Sequence, residues 1–197
     1  RSNYLFRSNT VIGDFMSGIV GDNVARASGV IASAGGGGKI IQIAQNYWTT
    51  TSSQTTGGYT TYTDMSNTTS TITPTAAGSS ILIFANVAFS SSHNGGMRLS
   101  ADIGGAGYND IFQAPAAGSR NTSTFGNPSA VGTSRQNIVN GQFLWTPTYT
   151  LTDVLSVKMR GSMEPTTPIA INRGQSDLDG NTYQRCVSTI TLWEVSA

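Results

Sequence analysis

The chain has 197 residues, enough for one domain with a sizeable core, and only 11% of them are charged. Glycine fills 23 positions, Ser and Thr together fill about a quarter, and the formal net charge is +1. These values exclude a charge-rich disordered chain and a basic nucleic-acid binder. With Cys186 as the single cysteine, they also exclude a disulfide-stapled domain or a cysteine metal site. No apolar stretch approaches the ~20 residues of a membrane span. The first residue is Arg1 rather than Met, so the chain reads as processed or as part of something longer, with no signal peptide to recognise.

Residues 1–34 are expected to form an N-terminal arm. Val11, Ile12, Phe15, Met16, Ile19 and Val20 recur at helical spacing, but Gly13, Gly18 and Gly21 each cost a helix about 1 kcal/mol relative to Ala. An apolar segment broken by glycine suits docking onto something else, either the protein's own trimer or another protein; a floppy terminus is the bland alternative. Residues 35–38, all Gly, then act as a hinge before a head domain spanning 39–197. No Lys-Ser/Thr pair follows them, which argues against a phosphate loop.

From Lys39 onward the pattern is strand, turn, strand. Lys39–Gln45 opens it, followed by Tyr59–Met65 and Ser70–Thr73, and Pro74 with Ala76-Ala77-Gly78-Ser79 supplies a turn. Ile81–Phe89 is the strongest strand signal, with Ile81, Ile83, Val87 and Phe89 on one face and Leu82 and Phe84 on the other. A lone sandwich leaves one face of each sheet wet, so apolar residues on both faces predict a neighbouring subunit over Leu82 and Phe84. Asn94-Gly95-Gly96 reads as a hairpin turn before Met97–Ile103, and Ala114–Gln136 as long loops. Gly141–Trp145, Val154–Arg160 and Cys186–Val195 complete about eight strands, with Cys186 expected as a small buried thiol. Short strands with Gly- and Pro-marked turns, no helix in the main body and no repeat give an all-β, antiparallel β-sandwich or jelly roll.

The succession Lys39–Gln45, Tyr62-Thr63-Asp64-Met65, Ser70–Pro74, Ser79–Ile83 and the closing Ser188–Glu194 resembles a jelly-roll module of tailed-bacteriophage fibre and head-decoration proteins. That resemblance, covering Lys39 to Val195, implies a compact homotrimer similar to the globular heads of tumour necrosis factor and complement proteins. It carries no catalytic residues. Trimerisation also has a physical basis: an exposed particle protein without disulfides gains stability by burying surface that would otherwise invite edge pairing, and cyclic symmetry closes the assembly.

Candidate chemistry is sparse. His93, the single histidine, would have to serve any Ser-His-Asp triad, but it lies beside a turn and reads as a solvated residue. Asp177-Leu178-Asp179-Gly180-Asn181 resembles the start of a calcium loop but lacks the next ligand and the closing Glu, so a polar Asp-Gly turn explains it. Glu164 and Glu194 sit in no recognisable setting for the paired carboxylates of a depolymerase. No catalytic, cofactor-binding or metal residue is therefore assigned. For a host glycan or protein receptor, Tyr47, Trp48, Tyr59 and Tyr108 are the candidate aromatics, with Asn121, Thr122, Phe125 and Asn127 in the middle loop; core or subunit contacts are the alternative. Trp145 and Trp193, inside strands, read as core or subunit contacts.

The expectation is a non-enzymatic virion-surface protein: a trimeric tail-fibre-type head suited to host attachment, without nucleic-acid binding, cofactor or membrane insertion. Two alternatives stand beside it, a capsid decoration protein whose arm clamps the shell and a cellular carbohydrate-binding module.

Overall fold

In the computed structural model, residues 38–126, 136–166, 168–181 and 183–197 are described. The expected arm with Val11, Ile12, Phe15, Met16, Ile19 and Val20, most of the glycine hinge, and Asn127 lie outside them. Residues Ile40–Ser196 form one compact unit. Among the described residues there is no helix, and these residues form eleven strands. They are β1 (Ile40–Trp48), β2 (Ser52–Thr55), β3 (Thr63–Ile72), β4 (Ser80–Ser90), β5 (Gly95–Ile103), β6 (Asn109–Ile111), β7 (Phe125–Gly126), β8 (Asn137–Trp145), β9 (Leu155–Met163), β10 (Pro168–Ile171) and β11 (Ser188–Val195).

Two antiparallel sheets pack face to face as a β-sandwich. One contains β1, β11, β4, β10 and β2, with β8 on the free edge of β4; the other runs β3, β9, β5, β6, with β7 also on β5. The pairs β1–β11, β3–β9, β4–β8 and β5–β6 are nested one inside the next along the chain. β4 bonds to β8 along one edge, and to β11 and then β10 along the other. Its inward residues Ile81, Ile83, Val87 and Phe89 are fully buried against Met97 and Leu99 of β5 and Leu155, Val157 and Met159 of β9. Burying each such side chain is worth about 1.5–3 kcal/mol, and the period-2 alternation of the sequence delivers them all to one face.

Several local expectations shift. Gly95 and Gly96 belong to β5 rather than to a hairpin turn, because the backbones there approach too closely for a side chain: a Cβ on Gly95 would lie 2.1 Å from the Ser162 carbonyl oxygen. Tyr59 begins no strand; a turn closed by the Thr61 N–H donating to the Gly58 carbonyl at 3.2 Å delays β3 to Thr63. Cys186 is a free thiol that precedes β11 and is only half-buried. Short strands β2, β6, β7 and β10 carried too few alternations to be recognised.

β3 contains a wide bulge: Asp64 opposes Arg160 and Thr69 opposes Lys158, leaving Met65–Thr68 across from Met159. The Thr68 hydroxyl replaces the lost ladder, accepting from the Met159 N–H at 3.2 Å and donating to the Met65 carbonyl at 2.7 Å. A second polar node sits where the chain leaves β10 for the 172–187 excursion. Asn172, fully buried with φ 61°, donates from Nδ2 to the carbonyls of Trp48 (2.7 Å) and Thr50 (3.1 Å). Its Oδ1 accepts from the Ser188 hydroxyl, whose oxygen in turn accepts from the Ala88 N–H at 2.9 Å. Three strands and the excursion are thereby tied at one point.

Glu194 is the only charged residue in the strands of the six-stranded sheet, and it is completely buried. Its carboxylate accepts from the Thr75 N–H at 2.9 Å, the Ala76 N–H at 2.9 Å and the Thr75 hydroxyl at 2.8 Å, clasping the turn between β3 and β4. Desolvation alone would raise its pKa, but the backbone donors of Thr75 and Ala76 outweigh it and hold the group below 4.5. A depressed folded-state pKa means the contribution is present above the unfolded value and is lost as pH falls through the folded one. Glu194→Gln is expected to cost about 1–3 kcal/mol at pH 7, lowering Tm by roughly 2–4 °C per kcal/mol. In thermal melts taken from pH 7 to 3, the gap between wild type and variant should narrow on acidification.

Candidate functional site

The two outer faces of the sandwich differ in kind. On the five-stranded sheet, the charged residues of neighbouring strands meet in a network. The β3 bulge leaves Asp64 against Lys158 at 2.5 Å and Arg160 at 3.2 Å. Asp110 of β6 takes Arg98 at 2.7 Å and Arg160 at 3.1 Å, along with the Ser100 hydroxyl. Burial would raise the Asp110 pKa, but the Ser100 and Arg98 hydrogen bonds and the charge of Arg160 hold it below the ordinary carboxylate value. Tyr108 lies with its ring 3.4 Å from the Lys158 ammonium, a cation–π contact. The charges of this face are paired with one another and, apart from Asp64, largely covered.

The outer face of the six-stranded sheet carries no charged residue. Register aligns Ile43, Trp193, Leu82 and Leu144 in one row across β1, β11, β4 and β8. The next row is Gln45, Thr191, Phe84 and Gln142, and the one after it Tyr47, Thr189, Asn86 and Asn140. Ile43 and Leu144 are each 57% exposed and Tyr47 is 64% exposed. Phe84 and Trp193 pack together with centroids 4.6 Å apart, beside a shallow depression of about 370 Å³ bordered by Ile43, Gln45 and Thr191. The Trp193 indole N–H is buried without a hydrogen-bond partner. Solvent-facing antiparallel sheets ordinarily alternate apolar-in with polar-out; here the outward row is apolar, flanked by amides and hydroxyls.

Leu82 and Phe84, expected at a subunit contact, are half-buried within this face. Their neighbours Ile43, Leu144 and Trp193 were not singled out together, since only the register between distant strands reveals them as one row. Of the proposed receptor-facing residues, Tyr47 lies on this same face, within β1 rather than in a loop. Trp48 corrects the expectation of an exposed loop aromatic: as the inward-facing last residue of β1 it is 9% exposed and belongs to the core. Phe125 is in β7 and packs edge-on against Phe143 at 5.7 Å. Tyr59, Asn121 and Thr122 do come together: the Asn121 side-chain amide donates to the Tyr59 carbonyl at 3.0 Å. Tyr62 Oη donates to the Thr122 carbonyl at 2.9 Å, and Arg98, stacked 3.6 Å over the Tyr62 ring, donates to the same carbonyl through Nε at 2.9 Å.

His93 links the β4–β5 turn to the segment after β9, with Nδ1 on the Ser92 hydroxyl at 2.9 Å and Nε2 on Glu164 at 3.1 Å. The imidazole and carboxylate are 50% and 42% exposed. In the 172–187 excursion, Asp177 is gripped by Arg185 at 2.7 Å and lies 3.7 Å from Arg173, so its oxygens serve an ion pair. Among the described residues no group of three or more His, Cys, Asp or Glu is placed to hold a metal ion.

No family model matches this chain, and no curated protein matches it either.

Arg98→Lys would lose both the planar stack on Tyr62 and the fork to Thr122, which an ammonium cannot reproduce. The expected cost is about 1–2 kcal/mol, read as a lowered Tm and as faster hydrogen exchange at Thr124, whose N–H bonds to the Met97 carbonyl. An unchanged exchange rate there would show that Arg98 does not hold the 121–124 segment.

Proposed function

We propose that this chain is the head of a homotrimeric jelly-roll structural protein on the surface of a tailed-phage virion, of fibre type and suited to host attachment. In this reading the protein builds and binds, without catalysing a reaction, and its N-terminal arm joins it to other virion proteins. The nested pairing of β1–β11, β3–β9, β4–β8 and β5–β6 supports the jelly-roll winding, since it is what a hairpin rolled around a barrel produces. The sequence resemblance supports the particle.

One observation carries the assembly: the uncharged outer face of the six-stranded sheet, centred on the row Ile43, Trp193, Leu82 and Leu144. The occupant is a second copy of the chain. Around a three-fold axis an uncharged face can pack against the neighbouring copy without desolvating any ion, whereas the opposite face, rich in ion pairs, would have to be desolvated at a cost of several kcal/mol per ion. Four strands of 8–11 residues, at about 4.8 Å spacing and about 3.4 Å rise per residue, present on the order of 600 Å² in plan. One partner in a standard interface buries about 800 Å², so the face together with its margins suffices.

Light scattering of the full chain should give three copies of 20.6 kDa, about 62 kDa. Leu144→Glu, at an exposed position, is expected to return the mass to one copy while the circular-dichroism spectrum stays β-rich. A wild-type protein that remains at 20.6 kDa at tens of micromolar overturns the trimer. Imaging of intact particles with labelled protein then separates a fibre from a capsid shell.

A further inference from the structure

At one end of the five-stranded sheet, the Tyr59–Tyr62 segment, the start of β5, the end of β9 and residues 121–123 enclose a slot of about 170 Å³. Glycine keeps it open. A Cβ on Gly96 would stand 2.7 Å from Tyr62 Oη and 3.1 Å from Ser123 Cβ, closing the floor. The walls are fixed before any ligand arrives: Tyr62 is 6% exposed and bonded to Thr122, and Asn121 holds the Tyr59 carbonyl. Arg98 braces the outer side from behind Tyr62, its guanidinium committed to Thr122 and Asp110. Little ordering entropy remains to be lost on binding.

The hydrogen-bonding capacity inside the slot is unspent. Ser162 is 1% exposed and lines the slot, and its hydroxyl has no hydrogen bond among the described residues. The Asn94 amide and the Ser123 hydroxyl, also lining it, are likewise without partners there, and Asn121 has an accepting oxygen to spare. A hydroxyl that opens onto the slot with no internal partner is left to bond a group from outside. No lining residue is charged, and the Tyr59 ring at the rim is 43% exposed.

We propose that this slot takes a single neutral pyranose ring, the terminal unit of a surface polysaccharide. The lining supplies what such a ring requires: hydroxyl and amide groups that donate and accept, an aromatic edge for its apolar face, and no charge for an acidic sugar to pair with. The volume is well below the roughly 300–1,000 Å³ of sites for drug-sized ligands, and holds about one sugar ring in place of a handful of waters at about 30 Å³ each. The inference rests on the host-attachment reading and names its ligand class.

Isotope-labelled full chain titrated with glucose, galactose, mannose and N-acetylglucosamine to about 50 mM, followed by amide NMR, tests it. At least one neutral sugar should give saturable shifts at Gly95, Gly96 and the side-chain amides of Asn94 and Asn121, with glucuronate binding no better. Tyr59→Ala and Ser162→Ala, both expected to keep the wild-type oligomer mass and Tm, should each weaken that binding about tenfold. Absence of shifts with every neutral sugar, shifts confined to other residues, a preference for glucuronate, or binding indifferent to both substitutions overturns the slot. The mass measured on the same samples judges the trimer independently: a trimer that ignores sugars sinks only the slot, and a monomer that binds them sinks only the assembly.

Discussion

The β4 backbone is hydrogen-bonded along both edges, to β8 on one side and to β11 and β10 on the other, while its side chains divide between two environments. Ile81, Ile83, Val87 and Phe89 turn inward and disappear completely from solvent. Leu82 and Phe84 turn outward into the uncharged face. Because side chains alternate strictly along a strand, a slip of one residue would exchange those two sets, and the inward set is so heavily buried that the register is fixed. Everything else about the six-stranded sheet follows from that registry, including the alignment of Ile43, Trp193, Leu82 and Leu144.

Charge is sorted between the sheets with equal consistency. The five-stranded sheet holds Asp64, Arg98, Asp110, Lys158 and Arg160 on its outer face in mutual pairs, with only Asp64 more than half exposed. The six-stranded sheet keeps one carboxylate, Glu194, and satisfies it internally with backbone N–H groups. Buried polar groups persist when their hydrogen bonds are complete, and the Glu194 and Asn172 nodes meet that condition. Several other buried polar atoms lack an internal partner, and one of them, the Trp193 indole N–H, lies on the face for which a second copy is proposed.

Much of the strand pattern was legible from the chain. Val154–Arg160 alternates with a period of two, Ile81–Phe89 is a nearly continuous apolar run rich in strand formers, and both stretches, like the closing run from Ser188, contain a strand. The short strands β2, β6, β7 and β10, of two to four residues, were not legible, because they hold too few alternations to stand out and exist through their partners. Gly95-Gly96 looked like a turn dipeptide because the same absence of a side chain serves a turn and a close strand contact. Trp48 looked like a loop aromatic because a polar Thr- and Ser-rich stretch follows it, yet the alternation of β1 points it into the core.

Composition and periodicity by themselves determined an antiparallel all-β chain, poor in charge, with one central strand apolar on both sides; these are properties of neighbours in sequence, set by local alternation and side-chain shape. The tertiary structure alone decided which distant residues share a surface. Ile43 meets Trp193 across β1 and β11, and Tyr59 meets Asn121 across 62 residues of chain, through hydrogen bonds whose partners no local pattern encodes. The reason is physical: side-chain direction is a local consequence of the pleat, whereas adjacency between strands is the outcome of the whole core choosing one packing.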